Sequence, residues 1–314
     1  FEDLGPFMQA LRMDGAYRFS DYSTIGETTA YSVGLNWTVN ESVILRGSFG
    51  SSVRAPNLAE LFSPDNESSY RPEDVCEQAN LGSQSANTIA NCAIELAALG
   101  IDPATFVSAS PVRRTGIKGG NPLLEEETSE TQTLGVVFTP TFLPGFVAAI
   151  DLWDIELTQG ILYPSDDEIV SQCYDSPTLD NPFCSLFSRA PTGIVGAIID
   201  LEQRPVNVSA LTTSGVDFSA NYTMGLGADM GSLSLGLNGS YLNELKTQPT
   251  VAPKQVEEVG LLTTLLGQQA PEWVVNFSAN WERGPISVNY RLHHQSELSI
   301  YEDEEIERQP DISD

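Results

Sequence analysis

Positive charge is scarce in this chain. Its 314 residues carry 15 Lys and Arg against 43 Asp and Glu, a formal net charge of -28. A nucleic-acid partner is excluded on that ground, because phosphate backbones are held by Lys and Arg that displace counterions. Histidine is nearly absent, with 2 residues. They are the adjacent His293 and His294, which on a strand point to opposite faces and cannot share one metal. No nucleophile with a histidine base is legible, so no catalytic site is expected and the chain reads as a non-enzyme. There is no run of 18 apolar residues, which excludes a transmembrane helix. The glycine-rich turn Gly119-Gly120-Asn121-Pro122 lacks a following Gly-Lys-Ser/Thr and a helix, so it is not a phosphate loop. The chain starts at Phe1 with no visible signal peptide and ends in the acidic run "IYEDEEIERQPDISD". It therefore reads as a piece of something longer.

What is present is alternation. Tyr31, Val33, Leu35, Trp37 and Val39 alternate with Ser32, Gly34, Asn36 and Thr38. The same beat runs through Val216 to Tyr222, Leu233 to Tyr241, Trp273 to Trp281 and Ile286 to Leu292. Period two means strand, with one apolar and one polar face. Roughly nine such strands of about eight to twelve residues are expected, long enough to cross a bilayer at a tilt. Their aromatics, Trp37, Phe138, Phe146, Tyr222, Trp273, Trp281 and Tyr290, fall mostly near strand ends on the apolar face, as an interfacial girdle would require.

The connections alternate in length. Short ones are 39–42, 139–145, 224–231 and 282–285. Long ones are 51 to about 127, 159–213, 246–271 and the tail after 298, with a connection of moderate length at 20–29 in the same series. Up-and-down strands put all short turns at one end and all long loops at the other, the asymmetry of outer-membrane barrels. The expected fold is an all-β, antiparallel up-and-down transmembrane barrel segment of about nine strands, with long extracellular loops carrying short helices. Helices are expected from Asn87 to Leu99 with Gly100 as a stop, and after the capping box Ser165-Asp166-Asp167-Glu168.

"SSVRAPNLAELF" at 51–62, followed by "GGNPLLEEETSETQTLGVVFTP" at 119–140, resembles the TonB-dependent receptors of Gram-negative outer membranes. The residues carrying the resemblance are Arg54, Ala55, Pro56, Leu58, Glu60, Leu61 and Phe62, then Gly120, Asn121, Pro122, Leu124, Glu127 and Ser129. "DLWDIELTQGI" and "SGVDFSANYTM" extend it over nearly the whole chain. The resemblance implies a twenty-two-stranded barrel, a plug in its lumen and a TonB box. The whole of 1–314 would then be the later-middle part of such a barrel domain, with plug domain and final strands lying outside it. It implies an active importer that captures a scarce solute at its loops, with the TonB complex, outer-membrane lipid and lipopolysaccharide as partners. A passive porin and a soluble adhesin or lectin-like β-domain are the alternatives.

Pro56 removes a ladder donor and ends the strand's pairing. Arg54 shares the polar parity of Ser42, Arg46 and Ser48, which places it at the outer lumenal rim against a plug carboxylate, a ligand or solvent. Cys76 and Cys92 lie in the first long loop, Cys173 and Cys184 in the second. All would be extracellular, where disulfides persist. Four cysteines allow three connectivities; the close pairs favour Cys76–Cys92 and Cys173–Cys184 over a zinc site. Candidate ligand or plug contacts are Arg54, Asn57, Tyr70, Arg113, Arg114, Tyr163, Tyr174 and Arg189. No cofactor is expected, although calcium could sit on acidic runs such as Glu125-Glu126-Glu127 and Glu302 to Glu305. The ligand is carbohydrate-like or a metal chelate. The acidic field repels anions at long range, and Tyr70, Tyr163, Tyr174 and Phe183 could stack on sugar faces, so the balance leans towards a neutral solute.

Overall fold

The structure is a computed structural model that describes residues 5, 7–108, 113–227, 229–248, 256–262 and 269–299. Nine long strands pair antiparallel in strict chain order. They are β1 (Ala10–Tyr22), β2 (Gly26–Asn40), β3 (Val43–Arg54), β4 (Glu127–Phe138), β5 (Phe146–Leu162), β6 (Val206–Gly225), β7 (Ser232–Gln248), β8 (Trp273–Arg283) and β9 (Ile286–Gln295). A two-residue strand, Val256–Glu257, adds to β7. The sheet does not close on itself, and β1 and β9 are its edges.

Register fixes the faces. Across the sheet, Leu35 pairs with Gly47, Gly47 with Leu134, Leu134 with Leu152, and Leu152 with Val216. The row continues through Tyr241 to Trp273. One face is therefore apolar from edge to edge. Among the described residues nothing covers it: Leu134 is 62% exposed, Ile150 50% and Tyr290 56%. A soluble β-domain would bury this face between two sheets; none of the described barrel strands does so. The opposite face carries Arg46, Ser48, Thr133, Asp151, Asp217, Asn238, Asn276, Ser278 and His293. Glycine makes room on this polar face. A Cβ on Gly135 would collide with the Asp151 carboxylate, which needs that space to bond Arg46 at 2.5 and 2.7 Å.

Aromatics gather at both ends of the apolar face. The Trp37 N–H donates to the Phe7 carbonyl at 3.0 Å and the Trp281 N–H to the Met230 carbonyl at 2.8 Å, both beside short turns. At the other end Tyr241 and Trp273 stack with ring centroids 4.5 Å apart. Beyond that second ring the pattern of β5 inverts. Asp154 and Glu156 replace apolar residues on the apolar side, with Glu130 opposite Glu156, while Trp153, Ile155 and Leu157 take the polar side. Five strands outrun the expected lengths: β1 has 13 residues, β2 has 15, β5 and β7 have 17 each and β6 has 20. The 20–29 connection is not a loop of moderate length; β1 and β2 pair up to Tyr22 and Gly26, and Gly26 has a positive φ of 83° that permits the tight reversal.

The buried hydrophobic core lies elsewhere. Leu96, Phe106, Ile169, Val170, Tyr174, Phe183, Phe187, Ile198 and Leu201 form one cluster with all four buried or partly buried cysteines. These residues come from the two longest connections, 55–126 and 163–205, which fold together as a cap at one end of the sheet. The cap contains α1 (Leu58–Phe62), α2 (Gln78–Leu81), α3 (Ala86–Ala98) and α4 (Asp166–Asp175). A ribbon of Asn66–Tyr70 and Arg114–Lys118 joins them, extended by Glu202–Gln203. The expected helices are present: Ser85 caps α3, Gly100 stops it with φ 73°, and Ser165 with Glu168 caps α4 reciprocally.

Candidate functional site

The rim where the cap meets the sheet is assembled from the paired motifs at 54–62 and 119–127. Arg54 lies opposite Glu127 in the β3–β4 ladder and hydrogen-bonds its carboxylate. Its second nitrogen reaches Glu60 at 3.1 and 3.2 Å. Glu60 also accepts from the Asn57 N–H at 2.7 Å, while the Asn57 side chain accepts from the N–H of Ala59 and Glu60, both at 2.9 Å. This capping box starts α1, a helix the sequence reading missed although Asn57 and Glu60 have the required spacing. Glu127 accepts from the Ile161 N–H on β5 at 2.7 Å, so the anchor spans three strands.

The second motif docks on the first by backbone. Gly120 N–H donates to the Ser63 carbonyl at 3.0 Å and Asn121 N–H to the Glu60 carbonyl at 2.8 Å. A Cβ on Gly120 would lie 2.7 Å from backbone atoms of Leu61 and Ser63, so only glycine permits this approach. The Asn121 side chain donates to the Pro205 carbonyl at 2.9 Å, and Arg204 to the Gly120 carbonyl at 2.7 Å. Both long loops thus leave the sheet through one hydrogen-bonded collar. The Glu127 carboxyl is held below the usual range: burial opposes ionisation, but the bonds from Arg54 and the Ile161 N–H outweigh it. Hydrogen bonding to Glu127 correspondingly raises Arg54.

Inside the cap, Arg189 joins the two loops. Its guanidinium meets Asp74 with two bonds of 2.7 and 2.8 Å, the Gly196 carbonyl at 2.7 Å and the Tyr174 hydroxyl at 2.6 Å. It lies between the rings of Phe106 and Tyr174, at 5.5 and 5.3 Å. The side chains of Arg189 and Asp74 are 1% and 0% exposed. Burial opposes the charge of Arg189, but Asp74 more than compensates and its pKa is raised; burial also raises Tyr174. Both expected disulfides are formed, Cys76–Cys92 and Cys173–Cys184.

The eight candidate contacts therefore separate. Tyr70, Tyr174 and Arg189 are buried, and the Tyr70 hydroxyl accepts from the Leu201 N–H at 3.1 Å. Their surroundings make them supports of the cap and leave no face for a solute. Arg54 and Asn57 build the collar. Tyr163 is exposed beside it; Arg114 begins the second ribbon strand and is half-buried, and Arg113, just before that strand, is exposed. Phe183 is fully buried and cannot stack on a sugar. Among the described residues no three His, Cys, Asp or Glu side chains converge as metal ligands, and 302–305 lies outside them.

A sheet with one edge-to-edge apolar face, short turns at one end and a folded cap at the other is the wall of an outer-membrane barrel. The family described as TonB dependent receptor-like, beta-barrel matches residues 1–309, and the chain belongs to it. No curated protein matches at a significant level. Among solved structures, a ferric enterobactin receptor mutant of Pseudomonas aeruginosa is similar, with a TM-score of 0.54 at 15% identity over 93% of this chain and 31% of that one. The siderophore receptor PirA of Acinetobacter baumannii gives 0.53 at 14% identity, over 92% of this chain and 32% of its own. The chain thus spans about a third of the length of these structures.

Proposed function

We propose that this chain is the later-middle part of the barrel of an outer-membrane receptor that imports a scarce solute with TonB-coupled energy. The apolar face meets lipid and the polar face lines the lumen. The cap stands outside the cell and captures the solute. A plug and a TonB box, on parts of the protein beyond 1–314, gate the lumen and couple it to the energised inner membrane. The observation that carries this reading is the cap itself. A passive pore needs no loops that share a core, two disulfides and a buried ion pair, whereas a receptor needs a preorganised capture surface. The solute is a metal chelate or a carbohydrate-like molecule; the fold neighbours include siderophore receptors, at identities that speak for the fold alone.

The deciding experiment is uptake by cells lacking the gene and by cells lacking TonB, supplied with ferric chelates or oligosaccharides as the scarce nutrient. The expected result is loss of growth on the same solute in both strains. Uptake that depends on this gene but survives TonB loss would establish a passive porin instead.

A further inference from the structure

One helix of the cap is apolar on its outward side. α3 turns Thr88, Asn91, Cys92 and Leu96 into the cap core. There Asn91 donates to the carbonyls of Tyr174 and Ser176 at 2.9 and 2.7 Å, and Cys92 is bonded to Cys76. The opposite side carries Ala86, Ile89, Ala90, Ala93, Ile94 and Ala97. At 3.6 residues per turn these six fill one unbroken arc of about 140°. Ile94 is 62% exposed and Ile89 46%. The helix has a single charged residue, Glu95, and that carboxylate meets Tyr174 and Arg189. A scattered exposed apolar residue is ordinary on a protein surface. A continuous face is not, and a helix apolar on both sides is normally buried.

The size of this face decides what kind of partner fits it. The 13 residues of α3 rise by about 1.5 Å each, so a strip about 10 Å wide along the helix offers roughly 200 Å². A stable complex between separate molecules buries about 800 Å² on each partner, so this face alone is too small to hold a second copy or a free protein. A segment of the same receptor meets no such threshold, because its tether has already removed most of the entropy cost of association. The chain spans about a third of the length of the similar receptors, and its sheet is open at β1 and β9. The strands that close the barrel bring further loops to the rim where the cap stands. The relief suits a helix: Ala86, Ala90 and Ile94 form one i+4 ridge, Ile89, Ala93 and Ala97 the next, and alanine allows close approach. The face has no Lys or Arg for the phosphates of lipopolysaccharide. We propose that the outward face of α3 seats an apolar helix from an extracellular loop of the barrel strands outside 1–314, joining the cap to the rest of the receptor's outer surface. This goes beyond the import reading and uses only its barrel; it needs neither TonB nor a solute.

The test is photo-crosslinking in the full-length receptor in its own outer membrane, with benzoylphenylalanine placed at Ile94 or, as a control, at Ala104, which is exposed on the same cap. At Ile94 the expected product keeps the mass of one receptor, and peptide mapping joins α3 to a segment outside 1–314; Ala104 gives no such product. Hydrogen exchange of the purified receptor is the second measurement. I89K/I94K should speed exchange in α3 and in the crosslinked segment at least tenfold. Disulfide mapping and heat-modifiable gel mobility verify that the variant keeps its cap and barrel, and if it loses the cap the single variant I94K is read in its place. A product of twice the receptor mass, an adduct with lipopolysaccharide or another protein, or a crosslink within 1–314 overturns the proposal. So does the absence of a crosslink at Ile94, or exchange that the lysines leave unchanged. Failure here would leave the import reading standing, and a passive uptake result would leave this contact standing.

Discussion

Removing Arg189 should open the cap without melting the barrel. In Arg189→Ala, Asp74 would remain buried at 0% side-chain exposure and lose both guanidinium bonds, keeping only the Ser108 hydroxyl at 2.7 Å and the Cys76 N–H at 3.1 Å. The Gly196 carbonyl and Tyr174 hydroxyl would each lose a donor, and the rings of Phe106 and Tyr174 would lose the cation between them. Breaking a buried pair from one side typically costs about 3–5 kcal/mol. The two donors left to Asp74 argue for the lower end, about 3 kcal/mol. At about 1.4 kcal/mol per tenfold, that is a rise of roughly a hundredfold in the open population. Native-state proteolysis or hydrogen exchange on the full receptor reads this within the cap, while thermal loss of heat-modifiable gel mobility reads the barrel. The paired variant R189M/D74L should be less damaged than Arg189→Ala, because it leaves no buried charge alone. Cap protection unchanged in Arg189→Ala, or a barrel transition that falls in step with the cap, would refute the reasoning.

Four further outcomes are expected. Replacing Cys76 and Cys92, or Cys173 and Cys184, by serine should destabilise the cap by about 2–4 kcal/mol per pair, seen as faster nicking in 55–126 and 163–205. Gly120→Ala should loosen the collar, because its Cβ would meet backbone at 2.7 Å; hydrogen exchange at Ser63, Asn121 and Ile161 is the measurement. Glu127 has its pKa depressed in the folded state, so its stabilisation is present above the ordinary carboxylate value of about 4.3 and lost as pH falls through the lower folded value. Collar protection should therefore decline below about pH 4, and E127Q should abolish that part of the profile. Leu152→Arg, on the apolar face, should impair membrane assembly by about 2–4 kcal/mol, whereas Ser219→Arg on the polar face should assemble, as judged by heat-modifiable mobility in isolated outer membranes.

Period-two alternation determined most of the wall by itself. Each strand spans lipid with one face only, so Val33, Leu35 and Trp37, or Val275, Phe277 and Trp281, had to be apolar in sequence before any neighbour was known. Helix ends were legible for the same local reason: Ser165 with Glu168 and Ser85 before α3 act within one turn. Strand ends were less so. The bulge between Ser214 and Gly215 and the inversion after Leu152 extend pairing past the belt, and both depend on partners far along the chain. The cap was the least legible. Asp74 and Arg189 are 115 residues apart, and an arginine in an acidic loop looks like a surface donor until a second loop closes over it. Tyr174 and Phe183 looked like ligand platforms for the same reason and are core. Local pattern decides which face of a strand is apolar, because that requirement comes from the solvent. Only tertiary structure decides which loop charges are neutralised and which remain free, because that requires knowing which two loops share one interior.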